Sequence, residues 1–354
     1  MPIVEHTPLP TFDRLRQQGE PVLTLEEALT QDIRELHIGL LNMMPDAALQ
    51  VTEQQFLRLI GSCNQIVQFY VHPFTVQGLE RSEETQTYID NYYNTFDDIR
   101  AHGLDALIIT GANVANPKLE QEPFWDTLTE VMNWATEHVT SVLCSCLATH
   151  SLLKYLYQID RVKLPQKKWG VYSHHIAHPQ HPLLRDINTR FDVPHSRNNT
   201  ITREQFEGAG LTILIESQGG EVHMAVSHDQ FRYIYFQGHP EYYRNSLLKE
   251  YKREVMLYLN DERDLPPYPE NYFSDAVQRI TDEYITIARQ AKAAGNPIPP
   301  FPEDELLPHL HNTWNDTGKA IFNNWLGLVY KITNVDPHKL FIDGVDPQNP
   351  LGML

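Results

Sequence analysis

Short apolar runs alternating with segments of helical period between residues 35 and 157 constrain this chain more than any other feature. Residues 36–42, 65–70, 106–110 and 141–144 are runs of strand length. Between and after them, Thr52 to Ile60 has helical spacing and stops at Gly61. Phe124, Leu128, Val131 and Met132 lie on one helical face, and residues 148–157 read as a further helix. Such alternation predicts an α/β protein whose parallel sheet is covered on both faces. The character changes over 168–236. Strands are expected at 211–215, 223–226 and 233–236, with Gly219-Gly220 joining the first two as an antiparallel hairpin. Helices follow at 244–259 and 274–294, then a proline-rich exposed stretch at 297–308 and a last helix over 322–330. The reading therefore divides the chain into an N-terminal arm (1–34) with one short helix, an α/β core (35–260), and a C-terminal helical extension and tail (261–354) packing on the core.

Charge and cysteine usage narrow the function. Lys and Arg number 28 against 46 Asp and Glu, a net charge of −18, which argues against nucleic-acid binding. An anionic ligand must then find a local positive pocket on an acidic protein. No apolar run approaches the ~20 residues of a membrane span, and residues 1–6 lack the pattern of a signal peptide. The three cysteines, Cys63, Cys144 and Cys146, make no disulfide framework. A cytoplasmic, reducing setting is expected.

Cys146 sits where a strand ends and a helix begins, the edge at which doubly wound sheets put their ligands. A thiol at a helix N-terminus gains thiolate character from the dipole and the free N–H groups. Those same groups can hold the oxyanion of an attacked carbonyl. The alternative is a buried cysteine acting as a small hydrophobe, and Cys144 is assigned to it. His239-Pro240-Glu241 follows the strand ending at Phe236 and offers a base with a carboxylate to orient it. With the cysteine upstream this gives a Cys–His–Glu hypothesis for acyl transfer through a thioester. The run from His174 to His181 has no carboxylate or cysteine at ligand spacing, so it reads as a turn with structural and solvent-facing histidines rather than a metal site. Gly111 is either a tight turn or a close backbone N–H for a substrate.

The string Leu41-Asn42-Met43-Met44-Pro45, then the run from Thr52 to Leu59, then Thr110-Gly111-Ala112 resembles the homoserine O-succinyltransferase family. So do Thr140-Ser141 leading to Cys146, Gly170-Val171-Tyr172 with His174-His175, Pro194-His195-Ser196-Arg197, Gly238-His239-Pro240-Glu241-Tyr242 and Asn324-Trp325-Leu326, all in order. The resemblance implies a flavodoxin-like core, similar to class I glutamine amidotransferases, with a mostly parallel sheet and added C-terminal helices. It implies Cys146 as nucleophile, His239 as general base and Glu241 as its orienting partner. Lys167, Ser196 and Arg253 match substrate-binding positions, the last suited to gripping a carboxylate. Lys167 and Lys168 would also suit a phosphate of coenzyme A. Backbone N–H groups of Leu147 and Gly111 would hold the oxyanion. Ala115 matches the position associated with the acyl donor. Small and uncharged, it points to succinyl-CoA, with acetyl-CoA as the alternative, and Lys118 is placed to meet the succinyl carboxylate. No bound cofactor or metal is implied, and relatives in this family are commonly homodimers. The chain departs from the family in having Asp46 where a lysine usually follows Met-Pro, and Leu147 where an aromatic is common. Competing readings are transfer to serine, a glutamine amidotransferase-like hydrolase, and a ligand-binding protein that kept the fold. The hydrolase normally has Gly-x-Cys-x-Gly, and here the residues around Cys146 include no glycine.

Overall fold

The computed structural model describes residues 3–63 and 67–354. In chain order the elements are β1 (Ile3–Glu5), α1 (Thr11–Gln17), β2 (Val22–Thr24), α2 (Leu25–Leu29), β3 (Glu35–Leu41), α3 (Asp46–Gly61), β4 (Gln68–Phe74), α4 (Glu83–Tyr92) and α5 (Phe96–His102). Next come β5 (Ala106–Ile109), α6 (Trp125–His138), β6 (Ser141–Ser145), α7 (Leu147–Tyr157), β7 (Val162–Ile176), β8 (Arg190–Thr200) and α8 (Arg203–Gly208). The last are β9 (Thr212–Ser217), β10 (Val222–Val226), β11 (Tyr233–Phe236), α9 (Ser246–Leu259), α10 (Asp275–Ala293), α11 (Glu303–Leu306) and α12 (Asn315–Ile332).

One sheet takes the order β2-β1-β4-β3-β5-β6-β11-β10-β9-β7-β8. From β2 across to β11 every pairing is parallel; from β11 to β8 every pairing is antiparallel. The expected α/β class, with a mostly parallel sheet and C-terminal helices, is the observed architecture. The middle strands β5 and β6 are buried along their whole length, which is why they read as unbroken apolar runs. Alternate residues serve opposite faces. Leu143 joins Phe56, Leu57 and Ile60 of α3 and Phe322 and Trp325 of α12. Its neighbours Val142 and Cys144 join Leu128, Val131 and Met132 of α6 and Leu152 and Leu153 of α7. A third cluster packs α9 and α10 against Trp169 and Val171 of β7.

Several stretches differ from the sequence reading. The second strand of the core runs from Gln68 to Phe74, later than expected, and Gln65 and Ile66 of the expected run lie outside the described residues. The first 34 residues carry α1 and α2 and also give β1 and β2 to the sheet edge, where β1 pairs with β4. The histidine-rich stretch is no mere turn. His174 closes β7 and is buried, His181 is buried beneath a short turn, and only His175 and His178 keep solvent contact. The β7–β8 hairpin escaped notice because half of β7 is exposed and rich in Lys and Gln, with Pro165 inside it.

Gly170 shows what holds the C-terminal extension to the sheet. Its φ is +149°, and a Cβ there would lie 2.2 Å from the Glu270 carbonyl oxygen. The approach lets Glu270 donate to the Trp169 carbonyl (2.8 Å) and accept from Val171 N–H (2.8 Å).

Five buried imidazoles have a consequence for acid stability. Burial pushes His150 down to about 3 and His174 and His181 down to about 4, and lowers His195 and His223 well below the ordinary range. Their folded pKa values lie below the ~6.5 of the unfolded chain, so the unfolded state binds more protons below that pH. The stability they contribute is complete above pH ~6.5 and declines toward the folded values, at ~1.4 kcal/mol per pH unit for each group. His239 carries a shift of opposite sign, whose contribution is complete below pH ~6.5 and is lost only above it, so it leaves the slope below that pH to the five. The urea midpoint should therefore fall steadily between pH 6.5 and 5 in equilibrium unfolding, and a flat midpoint over that window would contradict this account.

Candidate active site

A single residue turns the chain from β6 into α7. Cys146 takes φ 54° and ψ −106°, a conformation that costs a non-glycine residue ~1–3 kcal/mol and persists only where its surroundings enforce it. The enforcement is visible. Cys146 N–H donates to the Phe236 carbonyl (2.9 Å), and Thr149 N–H donates to the Cys146 carbonyl (3.1 Å). The Thr149 hydroxyl is placed to bond the carbonyls of both Phe236 (2.8 Å) and Cys144 (3.0 Å). Leu147 N–H is the first amide of α7, where amides lack partners inside the helix.

Because β6 and β11 are parallel neighbours with Ser145 opposite Phe236, residues just past both strands meet at one edge. His239 lies three residues beyond Phe236, and its N–H donates to the Pro194 carbonyl (2.8 Å). Gly238 makes room for this: a Cβ there would stand 2.6 Å from Val193 and 2.9 Å from His195. His239 Nδ1–H donates to Glu241 Oε1 at 2.7 Å, with the two side chains 8% and 4% exposed. Burial by itself lowers the His239 pKa. The Glu241 carboxylate and the Cys146 sulfur, each by charge and by hydrogen bond, outweigh it and raise the imidazole well above its ordinary value. His239 and Glu241 are thus a hydrogen-bonded pair, with the Cys146 sulfur among the groups that act on the imidazole. Behind it, the Arg58 guanidinium donates to the Glu241 carbonyl (3.3 Å) and to Asn315 (2.8 Å) while stacking on Tyr243.

A second group surrounds Glu250 of α9. Glu250 Oε2 accepts from Ser196 Oγ (2.6 Å) and Lys167 Nζ (3.2 Å), and its Oε1 accepts from Tyr242 O–H (3.0 Å). The Tyr242 ring stacks on His239 with centroids 4.3 Å apart. Lys167 and Ser196, expected at the site, are therefore joined to the His239–Glu241 pair through Glu250 and Tyr242. Arg253 stands apart: its side chain is 62% exposed and bonds Glu254. Lys168 turns away to pair with Glu221 and to stack over Tyr172.

The Gly111 end completes the edge. A Cβ built on Gly111 would stand 3.8 Å from Cys146 Cβ, 4.0 Å from Leu147 N and 3.6 Å from Met44 Sδ. The two expected oxyanion residues are side by side. Beyond them Ala115 lines a cavity of about 420 Å³. Asn116 next to it is fixed by an N–H bond to Glu122 (2.7 Å) and by Arg161 on its carbonyl (2.8 Å). Among the described residues no group of three or more His, Cys, Asp or Glu is placed to hold a metal ion.

Sequence reasoning missed Glu250 and Arg58. Nothing local distinguishes Glu250 from Glu254, four residues on along the same helix. Only the β7–β8 hairpin, which carries Lys167 and Ser196, turns Glu250 into a hub.

Comparison with known proteins gives consistent matches. The family model described as HTS, homoserine O-succinyltransferase, matches residues 2–335. The chain is 58% identical to a homoserine O-succinyltransferase of Methylococcus capsulatus and to one of Methylobacter tundripaludum, over 100% of each chain. One from Nitrosococcus oceani is 56% identical over 100% of this chain and 99% of its own. Among solved structures, a glutamine amidotransferase from Methylobacillus flagellatus aligns at 12% identity and TM-score 0.44, covering 84% of this chain and 95% of that one. Another from Thermotoga maritima aligns at 12% identity and TM-score 0.42, covering 83% and 97%.

The raised imidazole yields a direct expectation. Glu241→Gln removes one of the two groups that lift His239, so its pKa should drop toward the ordinary histidine value. NMR titration of the imidazole in the wild type and the variant reads this; an unshifted His239 would contradict the assigned cause.

Proposed function

We propose that this chain, which belongs to the homoserine O-succinyltransferase family and is an acyltransferase, moves succinyl from succinyl-CoA to the hydroxyl of L-homoserine through a thioester on Cys146. The product would serve methionine biosynthesis. The observation that carries the reading is the strained Cys146, held at the same sheet edge as a buried, hydrogen-bonded His239–Glu241 pair.

In the first half-reaction Cys146 Sγ attacks the thioester carbonyl while His239 holds the thiol proton. Negative charge collects on the carbonyl oxygen, and the N–H groups of Leu147 and Gly111 are the donors suited to it. The carbon–sulfur bond to coenzyme A then breaks, and coenzyme A leaves as a thiol with the proton from His239. Acylation removes the anionic sulfur beside His239, one of the influences that raise its pKa. The imidazole is then more readily held in the neutral, proton-accepting form that the second half-reaction needs. It takes the proton of the acceptor hydroxyl, whose oxygen attacks the acyl-enzyme and releases Cys146.

The acceptor site on this reading is the group around Glu250. Lys167 and Ser196 face it, and Arg253 lies one turn along α9 from Glu250, where it takes the acceptor carboxylate on leaving Glu254. Ala115 leaves the donor cavity open to a longer acyl chain than acetyl. The co-substrate is an acyl-CoA with no resident cofactor, and the active species is a cytoplasmic homodimer. No helix among the described residues is long and apolar enough to cross a membrane.

Incubating the pure protein with succinyl-CoA and recording intact mass and CoA release tests the chemistry. A succinyl increment on Cys146, discharged by homoserine and absent in Cys146→Ser, is expected. An acetyl increment alone would overturn the donor, discharge by serine alone the acceptor, and no increment with either donor the whole reading. For the acceptor site, Glu250→Gln should raise the KM for homoserine ~10–100-fold while leaving the acylation half-reaction within a few-fold, since it loosens Lys167 and Ser196 together. Equal loss in both half-reactions would contradict this division of labour.

A further inference from the structure

Arg81, just before the start of α4, lines the same cavity as Ala115, with Met43, Pro45 and Phe124. Its side chain is 5% exposed. One terminal nitrogen, Nη1, donates to the Met44 carbonyl and faces Asp46 Oδ1 at 3.5 Å. The other two nitrogens, Nε and Nη2, are shielded from solvent and have no partner among the described residues. Nε–H and Nη2–H are the adjacent pair that makes the side-on fork of a guanidinium, the geometry that grips a carboxylate with two parallel bonds. Donors left unpaired in a buried setting are costly, and functional sites are where proteins keep them.

The nearby carboxylates limit what the fork can take. Asp46 accepts from Ser82 N–H (2.7 Å), Glu122 accepts from Asn116 N–H (2.7 Å), and Glu80 is exposed at the rim. Asp46 and Glu122 have donors of their own and Glu80 stands at the rim, so the fork offers one positive charge, enough for a single carboxylate and too little for a multiply charged phosphate. Met44 links this cavity to the reacting centre. Its carbonyl holds Arg81, and its Sδ lies across the Gly111 position from Cys146 Cβ.

We propose that Arg81 binds the free carboxylate at the far end of the donor's acyl chain, so that a dicarboxylic monothioester of coenzyme A is selected over an uncharged acyl-CoA. This rests on the acyltransfer reading above. Arg81 is a specificity residue that touches the acyl group and not the reacting carbon.

The test compares wild type, Arg81→Gln and Arg81→Lys with succinyl-CoA, acetyl-CoA and butyryl-CoA, reading kcat/KM for CoA release, and records Tm for each protein. Arg81→Gln should lower kcat/KM for succinyl-CoA by ~100-fold or more, the usual effect of removing one partner of a buried charge pair. The two uncharged donors should stay within about threefold of wild type, a change too small for a lost charged contact, and Arg81→Lys should recover part of the succinyl preference. Equal loss with all three donors at unchanged Tm would overturn the assignment in favour of a coenzyme A phosphate contact. Equal loss with a lowered Tm would overturn it in favour of a purely structural bond to Met44. A wild type that releases CoA from none of the three would overturn the acyltransfer reading itself, an outcome distinct from an active wild type whose Arg81 variants fail to discriminate.

Discussion

The bond from Cys146 N–H to the Phe236 carbonyl is the contact on which the site depends. It continues the parallel β6–β11 ladder by one residue past the last paired position, Ser145 opposite Phe236. A slip of one residue would turn every side chain of the strand to the other face, moving Leu143 out of one core cluster and Cys144 out of the other. The register is thus fixed by burial on both sides of the sheet. Because it is fixed, Cys146 and the loop bearing His239 leave the sheet side by side. The positive φ of Cys146 follows from the same constraint, since a helix must begin at once if α7 is to cover Val142 and Cys144.

The antiparallel half of the sheet and the C-terminal helices do a different job. The parallel strands provide an edge, and β7, β8 and α9 wall it. Gly170 lets residue 270 pair with β7, and this docks the chain that carries α10 against the Trp169 and Tyr251 cluster. α9 is then held between that cluster and the His239 loop, with Glu250 facing Lys167 and Ser196. Tyr242 ties the two halves, stacked on His239 at one end and bonded to Glu250 at the other. A ligand that disturbs the Glu250 group is therefore felt at the imidazole through a rigid ring.

This division explains what the sequence made legible. β3, β5 and β6 could be read because strands buried on both faces over most of their length are dominated by apolar residues. Cys146 could be read because a strand running straight into a helix leaves only one residue for the turn. His239-Pro240-Glu241 was visible as spacing alone, since its partners are two residues apart. β7 and β8 were not legible, because a strand whose first half is largely exposed and holds a proline imitates a loop. With that hairpin hidden, Glu250 had no visible partners and His174 and His195 no visible burial. The histidines illustrate the rule: polar residues become core only through tertiary neighbours, as His174 and His195 do by stacking and His223 by meeting both edge-on.

Net charge shapes how such a site can work. The chain carries −18 overall, so an anionic acyl-CoA meets a repulsive surface and must be drawn by local field. The positive groups near the carboxyl edge of the sheet are unusual in being buried. Arg197 and Arg161 are both desolvated, and the Cys146 sulfur is among the charges that stabilise each of them. Among the described residues each also keeps a shielded guanidinium nitrogen without a hydrogen-bond partner, as Arg81 does, although that of Arg197 faces Glu221 at 4.0 Å. Guanidinium is the cation for such positions, because it remains charged where a buried ammonium would lose its proton. Buried cations cost little in long-range attraction to the wrong partners, since the acidic exterior hides them. They act only on what enters the edge, and there the low dielectric strengthens their pull on any anionic group. Acidity outside and unpaired guanidinium inside are therefore two parts of one electrostatic arrangement, in which attraction begins only where the reacting groups already stand.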